Sequence, residues 1–220
     1  MTQPPNTVPM LDVSASQGDV DWAKVYAAGY RAVMVEHGVG NDSANPYREA
    51  QVRGAQAAGL RVGRYDFAYP IGLPGAGRTP QQQAALHASQ AVSGVVYDLP
   101  ACLDLEWPEI GSWARWGCTA NQIVQWVMAY SIARPEVTRL YVSPGFLAEL
   151  NHPREFLRFD LWLAAWTSSS SPSVPAPFTS WSAWQYSAIG NVPGVSGDID
   201  LSWLAMPFPP EAPTCPDVAT

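Results

Sequence analysis

The regular alternation of short apolar runs with helical patterns constrains the fold of this chain more than any other feature of its sequence. The runs that predict strands lie at 8–14, 31–36, 60–68, 100–107 and 139–143. The segments that predict helices between them lie at 20–29, 45–59, 79–94 and 119–133. Glycine ends the first two helices, and threonine begins the last two, as expected of residues that cap helices. Strands that alternate with helices in this way imply a parallel sheet with right-handed crossovers.

The pattern changes after residue 143. Three further strand-like runs, at 160–166, 182–187 and 197–204, are separated by loops rich in Ser, Pro and Gly that leave no room for full helices. Five β/α units followed by three strands predict a single α/β domain, a closed TIM-like (β/α)5β3 barrel spanning residues 1–206. An open doubly wound sheet is the alternative. The Pro-rich segment 207–220 is expected to be a linker or a loose end.

Composition and charge argue against several classes of partner. The chain of 220 residues is 47% hydrophobic and 14% charged, so it can bury a sizeable core, and we expect a monomer. The net charge is −7 and no run of Lys or Arg occurs, which argues against nucleic acid as a partner. No apolar run approaches the ~20 residues of a membrane helix, so we expect no membrane insertion. The histidines share no metal-ligand spacing and the cysteines form no CxxC pair, so we expect no metal and no cofactor.

The fourth predicted strand contains two acids, in the stretch ACLDLEW at 101–107. Alternate residues of a strand point to the same face, so Asp104 and Glu106 share one face with Cys102. Two carboxylates desolvated side by side in a core cost several kcal/mol unless they are paired. The sequence therefore predicts that these two acids face the mouth of a barrel rather than its core.

Other acids collect at the same end of the predicted barrel, where the active sites of β/α barrels lie. The acids in or at the ends of predicted strands are Asp12, Glu36, Asp66, Asp104, Glu106, Asp198 and Asp200. Mutual repulsion should keep at least one of them protonated near neutral pH, which is the arrangement that glycoside hydrolysis needs. The alternative is a set of acids that cap helix N-termini or bind a cation. His37 is expected to lie beside the pocket, within reach of a substrate.

Five segments in order resemble glycoside hydrolase family 25, the Chalaropsis-type lysozymes. The opening DVSASQGDVDW matches that family's D-V-S-x-x-Q-G-x-x-x-W pattern. The similar segments are 12–22, 57–70, 99–107, 161–166 and 184–202. The resemblance covers nearly the whole chain, and the family's (β/α)5β3 barrel agrees with the strand count.

The resemblance implies cleavage of the β-1,4 bond between N-acetylmuramic acid and N-acetylglucosamine in peptidoglycan glycan strands. Glu106 would be the general acid, and Asp104 would hold the 2-acetamido group of the substrate or act as the second carboxylate. Asp12 and Asp200 would complete the acidic cluster. The resemblance favours retention assisted by the substrate's own acetamido oxygen. The residues expected to line the sugar groove are Tyr65, Tyr141, Trp166 and Gln185.

The chain departs from the family pattern at two positions. The family usually has Lys where this chain has Glu36, and His where it has Asp66. Both changes add negative charge to the expected substrate-binding pocket. One hypothesis is that they raise the pKa of Glu106 further and shift the activity optimum towards acid. Altered substrate preference, a cation site and lost activity are the alternatives.

Three functions remain open on the sequence alone. The first is a muramidase; because the N-terminus has no signal-peptide pattern, we expect a phage endolysin released at lysis or a component of the virion. The second is a non-catalytic barrel that binds wall glycan, supported by Glu36 and Asp66. The third is a relative that acts on another N-acetylated polymer.

Overall fold

Eight strands close into one barrel in the computed structural model, which describes residues 2–40, 43–70, 78–106 and 118–206. The strands are β1 (Thr7–Val13), β2 (Ala32–Val39), β3 (Arg61–Phe67), β4 (Ala101–Asp104), β5 (Val137–Val142), β6 (Asp160–Ala164), β7 (Ala183–Gly190) and β8 (Ile199–Ala205). Each strand pairs with the next, and β8 returns to β1. The predicted closed barrel is confirmed, and the open-sheet alternative is wrong. The tail at 207–220 lies outside the described residues, so the predicted domain boundary stays a prediction.

In the described ranges, one α-helix follows each of the first five strands. These helices are α1 (Trp22–Ala27), α2 (Arg48–Ala57), α3 (Pro80–Ser89), α4 (Ala120–Ala133) and α5 (Pro144–Glu149). The side chains of Thr79 and Thr119 cap α3 and α4 as expected, each accepting a hydrogen bond from a backbone N–H in the first turn. The sequence pattern did not locate α5, a six-residue helix that contains Pro144 and Gly145, the two residue types with the lowest helix propensity. Ser143 caps this short helix by accepting a hydrogen bond from the Phe146 N–H.

The last strand runs in the opposite direction to its neighbours, so the prediction of a parallel sheet is wrong for β8. It pairs antiparallel with both β7 and β1. The reason is the connection at 191–198, which is shorter than the dozen or more residues that a parallel crossover needs. Reversal brings the start of β8, rather than its end, to the mouth of the barrel. Asp200 consequently lies directly opposite Asp12 in the strand register.

Side-chain alternation along β4 separates two apolar layers. Cys102 belongs to the cluster inside the barrel, together with Trp162 of β6. Leu103 and Leu105 belong to the outer cluster, which includes Trp126 of α4. Because successive residues of a strand point to opposite faces, this order leaves Asp104 on the inner face. The alternation inferred from ACLDLEW is therefore present in the fold.

Asp66 lies on the outer face of β3, so the prediction that it lines the pocket is wrong. Its neighbours Tyr65 and Phe67 face the cavity at the barrel mouth, and the pleat turns Asp66 the other way. The fully buried carboxylate accepts a hydrogen bond from Arg134 Nη1 at 3.1 Å, just past the end of α4. Arg134 also donates through Nε to Glu136 Oε1 at 2.8 Å. The buried ion pair between Asp66 and Arg134 thus connects β3 of the barrel wall to the end of α4.

Two buried histidines extend the polar layer between the barrel and the helices. His87 Nδ1 lies 2.7 Å from the Tyr130 hydroxyl, and His37 Nε2 lies 3.1 Å from the Tyr97 hydroxyl. Burial lowers the pKa of His37 to about 3, and burial also lowers the pKa of His87, so both rings are neutral. The expectation that His37 lies beside the pocket is wrong, because its ring is turned towards the helices and is fully buried.

We expect Asp66→Ala to destabilise the fold by about 3–5 kcal/mol, because it leaves the Arg134 guanidinium buried without its partner. Glu49→Ala is the matched control, since it breaks the exposed pair with Arg53, in which both side chains are more than half exposed. That change should cost less than about 0.5 kcal/mol. Urea unfolding at neutral pH measures both losses. Similar losses in the two variants would contradict the structural role given to the buried pair.

Candidate active site

Five carboxylates line one cavity of about 400 Å³ at the mouth of the barrel. They are Asp12, Glu36, Asp104, Glu106 and Asp200, from β1, β2, β4, the residues after β4, and β8. The remaining lining residues are Ser14, Ser16, Tyr65, Phe67, Tyr141, Trp162 and Gln185. No Lys, Arg or His side chain lines this cavity in the described part of the chain. The acids therefore face one another without a neutralising cation.

Glu106 lies beyond the end of its strand. The sequence pattern predicts a fourth strand through residue 107, but β4 ends at Asp104, and residue 107 lies outside the described ranges. The Leu105 N–H donates to the Tyr141 carbonyl at 3.0 Å, which holds the chain beside β5 for one more residue. Glu106 thereby stays in the cavity with Asp104 while its side chain is only half-buried.

Burial is the largest cause of the raised carboxyl pKa values in this cavity. Burial raises the pKa of Glu36 to about 7, and the charge of Asp66 makes a smaller contribution. Burial likewise raises the pKa of Glu106 to about 7, with a smaller contribution from the charge of Asp200. The pKa of Asp104 is raised well above its usual value, first by burial and then by the charge of Glu106. Several of these groups therefore retain protons near neutral pH.

Asp12 and Asp200 are a pair of acids that lie opposite each other in the register of β1 and β8. Burial, followed by the charge of Asp200, raises the pKa of Asp12 well above its usual value. Burial also raises the pKa of Asp200. Both carboxyl groups therefore resist ionisation.

Gln185 joins three of the residues around the cavity. Its Oε1 accepts hydrogen bonds from the Tyr141 hydroxyl at 2.9 Å and from Trp166 Nε1 at 3.1 Å. Its Nε2 donates to Asp12 Oδ2 at 3.4 Å. Gln185 is buried, whereas Trp166 is 67% exposed. The amide thus links an exposed indole to a buried carboxyl group.

A second cavity of about 750 Å³ adjoins the first, and Glu106 and Tyr141 line both. Its other lining residues are Ser143, Pro144, Ala164, Ala165, Trp166, Thr167, Ser169, Ser171, Pro172, Ser173 and Pro175. Hydroxyl groups and apolar surface predominate here, and Glu106 is the charged group among these residues. Glu106 therefore lies at the junction between an acidic pocket and an uncharged groove.

Most of the residues singled out in the sequence meet at this place. The pocket contains Asp12, Glu36, Asp104, Glu106, Asp200, Tyr65, Tyr141 and Gln185, and the groove contains Trp166. Asp66 lies outside, as described above, and Asp198 is exposed just before β8. Four residues that line the pocket were not predicted from the sequence, namely Ser14, Ser16, Phe67 and Trp162. Strand alternation could have found Phe67, which is two residues from Tyr65 and shares its face.

Two features are absent from the described residues. Within the described ranges, no group of three or more His, Cys, Asp or Glu side chains is arranged to hold a metal ion. In the same part of the chain, no helix has the length and apolar character needed to cross a membrane.

Comparisons with known proteins agree with the barrel and its site. The chain is 30% identical over 199 residues to lysozyme M1 of Streptomyces globisporus, covering 86% of this chain but only 65% of that protein. It is 30% identical over 207 residues to N,O-diacetylmuramidase of Chalaropsis sp, covering 88% and 96% of the two chains. The crystal structure of the bacterial lysozyme from Streptomyces coelicolor superposes with a TM-score of 0.79 at 28% identity, covering 91% and 93%.

A family model supplies the assignment. The model described as glycosyl hydrolases family 25 matches residues 11–195, which include all the acids of the pocket except Asp200. The match extends over most of the chain and includes the end of β1 and all of β2 to β7. The chain therefore belongs to glycosyl hydrolase family 25.

Proposed function

We propose that this glycoside hydrolase is a muramidase that cleaves the β-1,4 bond between N-acetylmuramic acid and N-acetylglucosamine in peptidoglycan. The observation that carries the proposal is the position of Glu106, a protonatable acid at the junction of the acidic pocket and the uncharged groove. The names of two relatives, a lysozyme and an N,O-diacetylmuramidase, support the same substrate class.

Glu106 is the proposed general acid. A group that donates a proton to the leaving glycosidic oxygen must still be protonated at the working pH, and burial raises the pKa of Glu106 to about 7. Its place between the two cavities lets the sugar that is attacked occupy the pocket while the leaving sugar occupies the groove. Proton transfer from Glu106 then releases the new hydroxyl group into the groove.

Asp104 is the proposed partner of the substrate's 2-acetamido group. Its side chain is 7% exposed, and its Oδ1 has no hydrogen-bond partner among the described residues. An acetamido N–H that donates to this oxygen would stabilise the charged form of Asp104 and lower its pKa in the complex. The acetamido oxygen, oriented by this contact, attacks the anomeric carbon as the glycosidic bond breaks. Water then opens the resulting ring, and the configuration is retained.

Glu36 is the one departure from the family pattern that reaches the pocket. The hypothesis that Glu36 and Asp66 together raise the pKa of Glu106 needs correction, because burial and Asp200 account for that rise. Glu36 instead contributes to the raised pKa of Asp104. We propose that Glu36 contacts the bound sugar. A non-catalytic barrel that binds wall glycan, which Glu36 also favours, is the second proposal. The phage setting likewise remains a proposal.

Glu106→Gln should lower kcat on purified peptidoglycan by at least about 100-fold, because the amide cannot supply the proton. Turbidity loss, with identification of muramic acid at the new reducing ends, measures the reaction. Glu36→Gln is the comparison variant, since it removes another half-buried acid whose pKa is about 7. That change should act mainly on KM. Equal losses of kcat in the two folded variants would contradict the assignment of Glu106 as the general acid. If the wild type binds peptidoglycan but does not cleave it, the second proposal is favoured.

The value of kcat/KM should fall as pH rises through about 7, because Glu106 then loses the proton that it must donate. A pH–rate profile on soluble glycan fragments measures this limb. A profile that peaks well above neutral pH would contradict the assignment.

Glu106→Gln should also stabilise the fold at alkaline pH. The pKa of Glu106 is raised from 4.5 to about 7 in the folded protein, so the folded state resists its ionisation. Stability from this group is fully present below pH 4.5 and is lost as pH rises through about 7. The variant avoids this loss and should be about 1–3 kcal/mol more stable than wild type at pH 8. Urea unfolding at pH 5 and pH 8 checks the difference, and a variant no more stable at either pH would contradict the burial of this charge.

A further inference from the structure

The carboxyl group of Glu36 lines the pocket without a partner in the described structure. It is half-buried and lies beside Tyr65 in the register of β2 and β3. Among the described residues, the carboxyl group makes no hydrogen bond and no ion pair; only the backbone carbonyl of Glu36 is bonded, by Asn45 Nδ2 at 3.0 Å. Loss of water without a new partner is unfavourable for an acid. Glu36 is therefore suited to a ligand that brings its own donor.

The charge of the pocket favours a ligand that is a cation. Four further acids line the cavity with Glu36, and no Lys, Arg or His side chain does so among the described residues. Oδ1 of Asp104, on a side chain that is only 7% exposed, is another acceptor without a donor. Within the described ranges, these acids are not grouped to hold a metal ion. A sugar that carries an ammonium group would supply both the positive charge and three N–H donors.

Glu36 lies across the barrel from the uncharged groove. In the closed order of eight strands, β2 is four strands away from β6 in either direction. The groove is built by the ends of β5 and β6 and by the residues after them, such as Ser143, Ala164 and Trp166. A glycan with its leaving sugar in the groove and its attacked sugar at Asp104 therefore extends towards Glu36, where the next sugar on the non-reducing side would lie.

We propose that Glu36 binds the free 2-ammonium group of an N-deacetylated glucosamine residue that directly precedes the attacked muramic acid, so that glycans lacking this one acetyl group are the preferred substrates. The proposal rests on the muramidase function put forward above, since the sugar before the attacked muramic acid in peptidoglycan is a glucosamine. It gives Glu36 a role in specificity that is separate from the proton transfer by Glu106.

Asp104 and Glu36 require opposite states of two neighbouring 2-amino groups. The acetamido oxygen held through Asp104 attacks the anomeric carbon, so the muramic acid must keep its acetyl group. The sugar at Glu36 takes no part in bond cleavage, and its ammonium group can form charge-assisted hydrogen bonds with the carboxylate. Burial raises the pKa of Glu36 to about 7, and a bound ammonium group would lower it again. Binding of the cation therefore ionises its own acceptor.

The kinetic experiment compares glycans that carry the same stem peptides and differ only in acetylation. One is fully N-acetylated, one is deacetylated at glucosamine alone, and one is deacetylated at muramic acid alone. Wild type should cleave the second glycan with a kcat/KM at least about tenfold above that for the first, because the ammonium group pairs with Glu36. The third glycan should resist cleavage, because it lacks the acetamido oxygen that attacks.

Variants of Glu36 test whether this residue causes the preference. Glu36→Gln should bring the values of kcat/KM on the first two glycans close together, and Glu36→Lys should reverse the preference by repulsion. Glu49→Gln is the matched control, because it removes one exposed acid on α2 and changes the net charge equally. It should keep the wild-type preference. A preference that survives Glu36→Gln, or faster cleavage of the glycan deacetylated at muramic acid, would overturn the role given to Glu36.

A binding measurement does not need turnover. A short β-1,4-linked glucosamine oligomer and its N-acetylated counterpart are titrated by calorimetry into each protein at about 0.15 M salt, which screens long-range attraction. Wild type and Glu49→Gln should bind the glucosamine oligomer at least about tenfold more tightly, and Glu36→Gln should lose this difference. Equal Kd values for the two oligomers in wild type would overturn the proposal. If wild type cleaves none of the glycans, the muramidase function fails, while the titrations still decide whether Glu36 binds the amine.

Discussion

The two-residue period of the strands is the constraint on which the rest of the molecule depends. Each strand sends one side chain into the barrel and the next towards the helices, so a single β4 sequence supplies Asp104 to the site and Leu103 and Leu105 to the outer core. The same rule separates Tyr65 and Phe67 from Asp66 on β3. Site and core are therefore made by the same strands, and a shift of register by one residue would exchange them.

The sequence allowed the eight strands, the closed barrel and the cluster of acids at its mouth to be predicted, because each depends on local pattern. It did not reveal which way β8 runs or which face Asp66 takes. The first depends on where β7 ends and β8 begins, and the second on which face of β3 lines the barrel, and the pattern within one strand decides neither. The orientation of the Gln185 amide depends on groups from three separate strands or loops, so no local pattern could indicate it.

Buried acids are neutralised differently in the site and in the layer between the barrel and the helices. Behind the barrel wall, Asp66 and Arg134 neutralise each other in a fully buried pair. At the mouth, the pocket acids have no cation beside them in the described structure, and their pKa values rise instead. The buried ion pair joins two layers of the fold. The pocket acids instead destabilise the fold at alkaline pH, and they provide an acid that is still protonated near neutral pH. The outward faces of the strands thus contribute to the ion pair that stabilises the fold, and the inward faces contribute the acids of the site.

The absence of helices after β6 and β7, within the described residues, has an electrostatic consequence. In a β/α barrel, the N-terminus of each helix lies near the mouth, and its partial positive charge stabilises nearby anions. On the β7–β8 side, stacked aromatic rings cover the wall instead. The ring centroids of Tyr186 and Trp203 lie 5.3 Å apart, and the two ring planes are inclined by 20°. Rings of this kind contribute no macrodipole directed at the mouth. Among the described residues, helix N-termini therefore follow only the strands β1 to β5, and the acids of the pocket have no such partial positive charge beside β6 and β7.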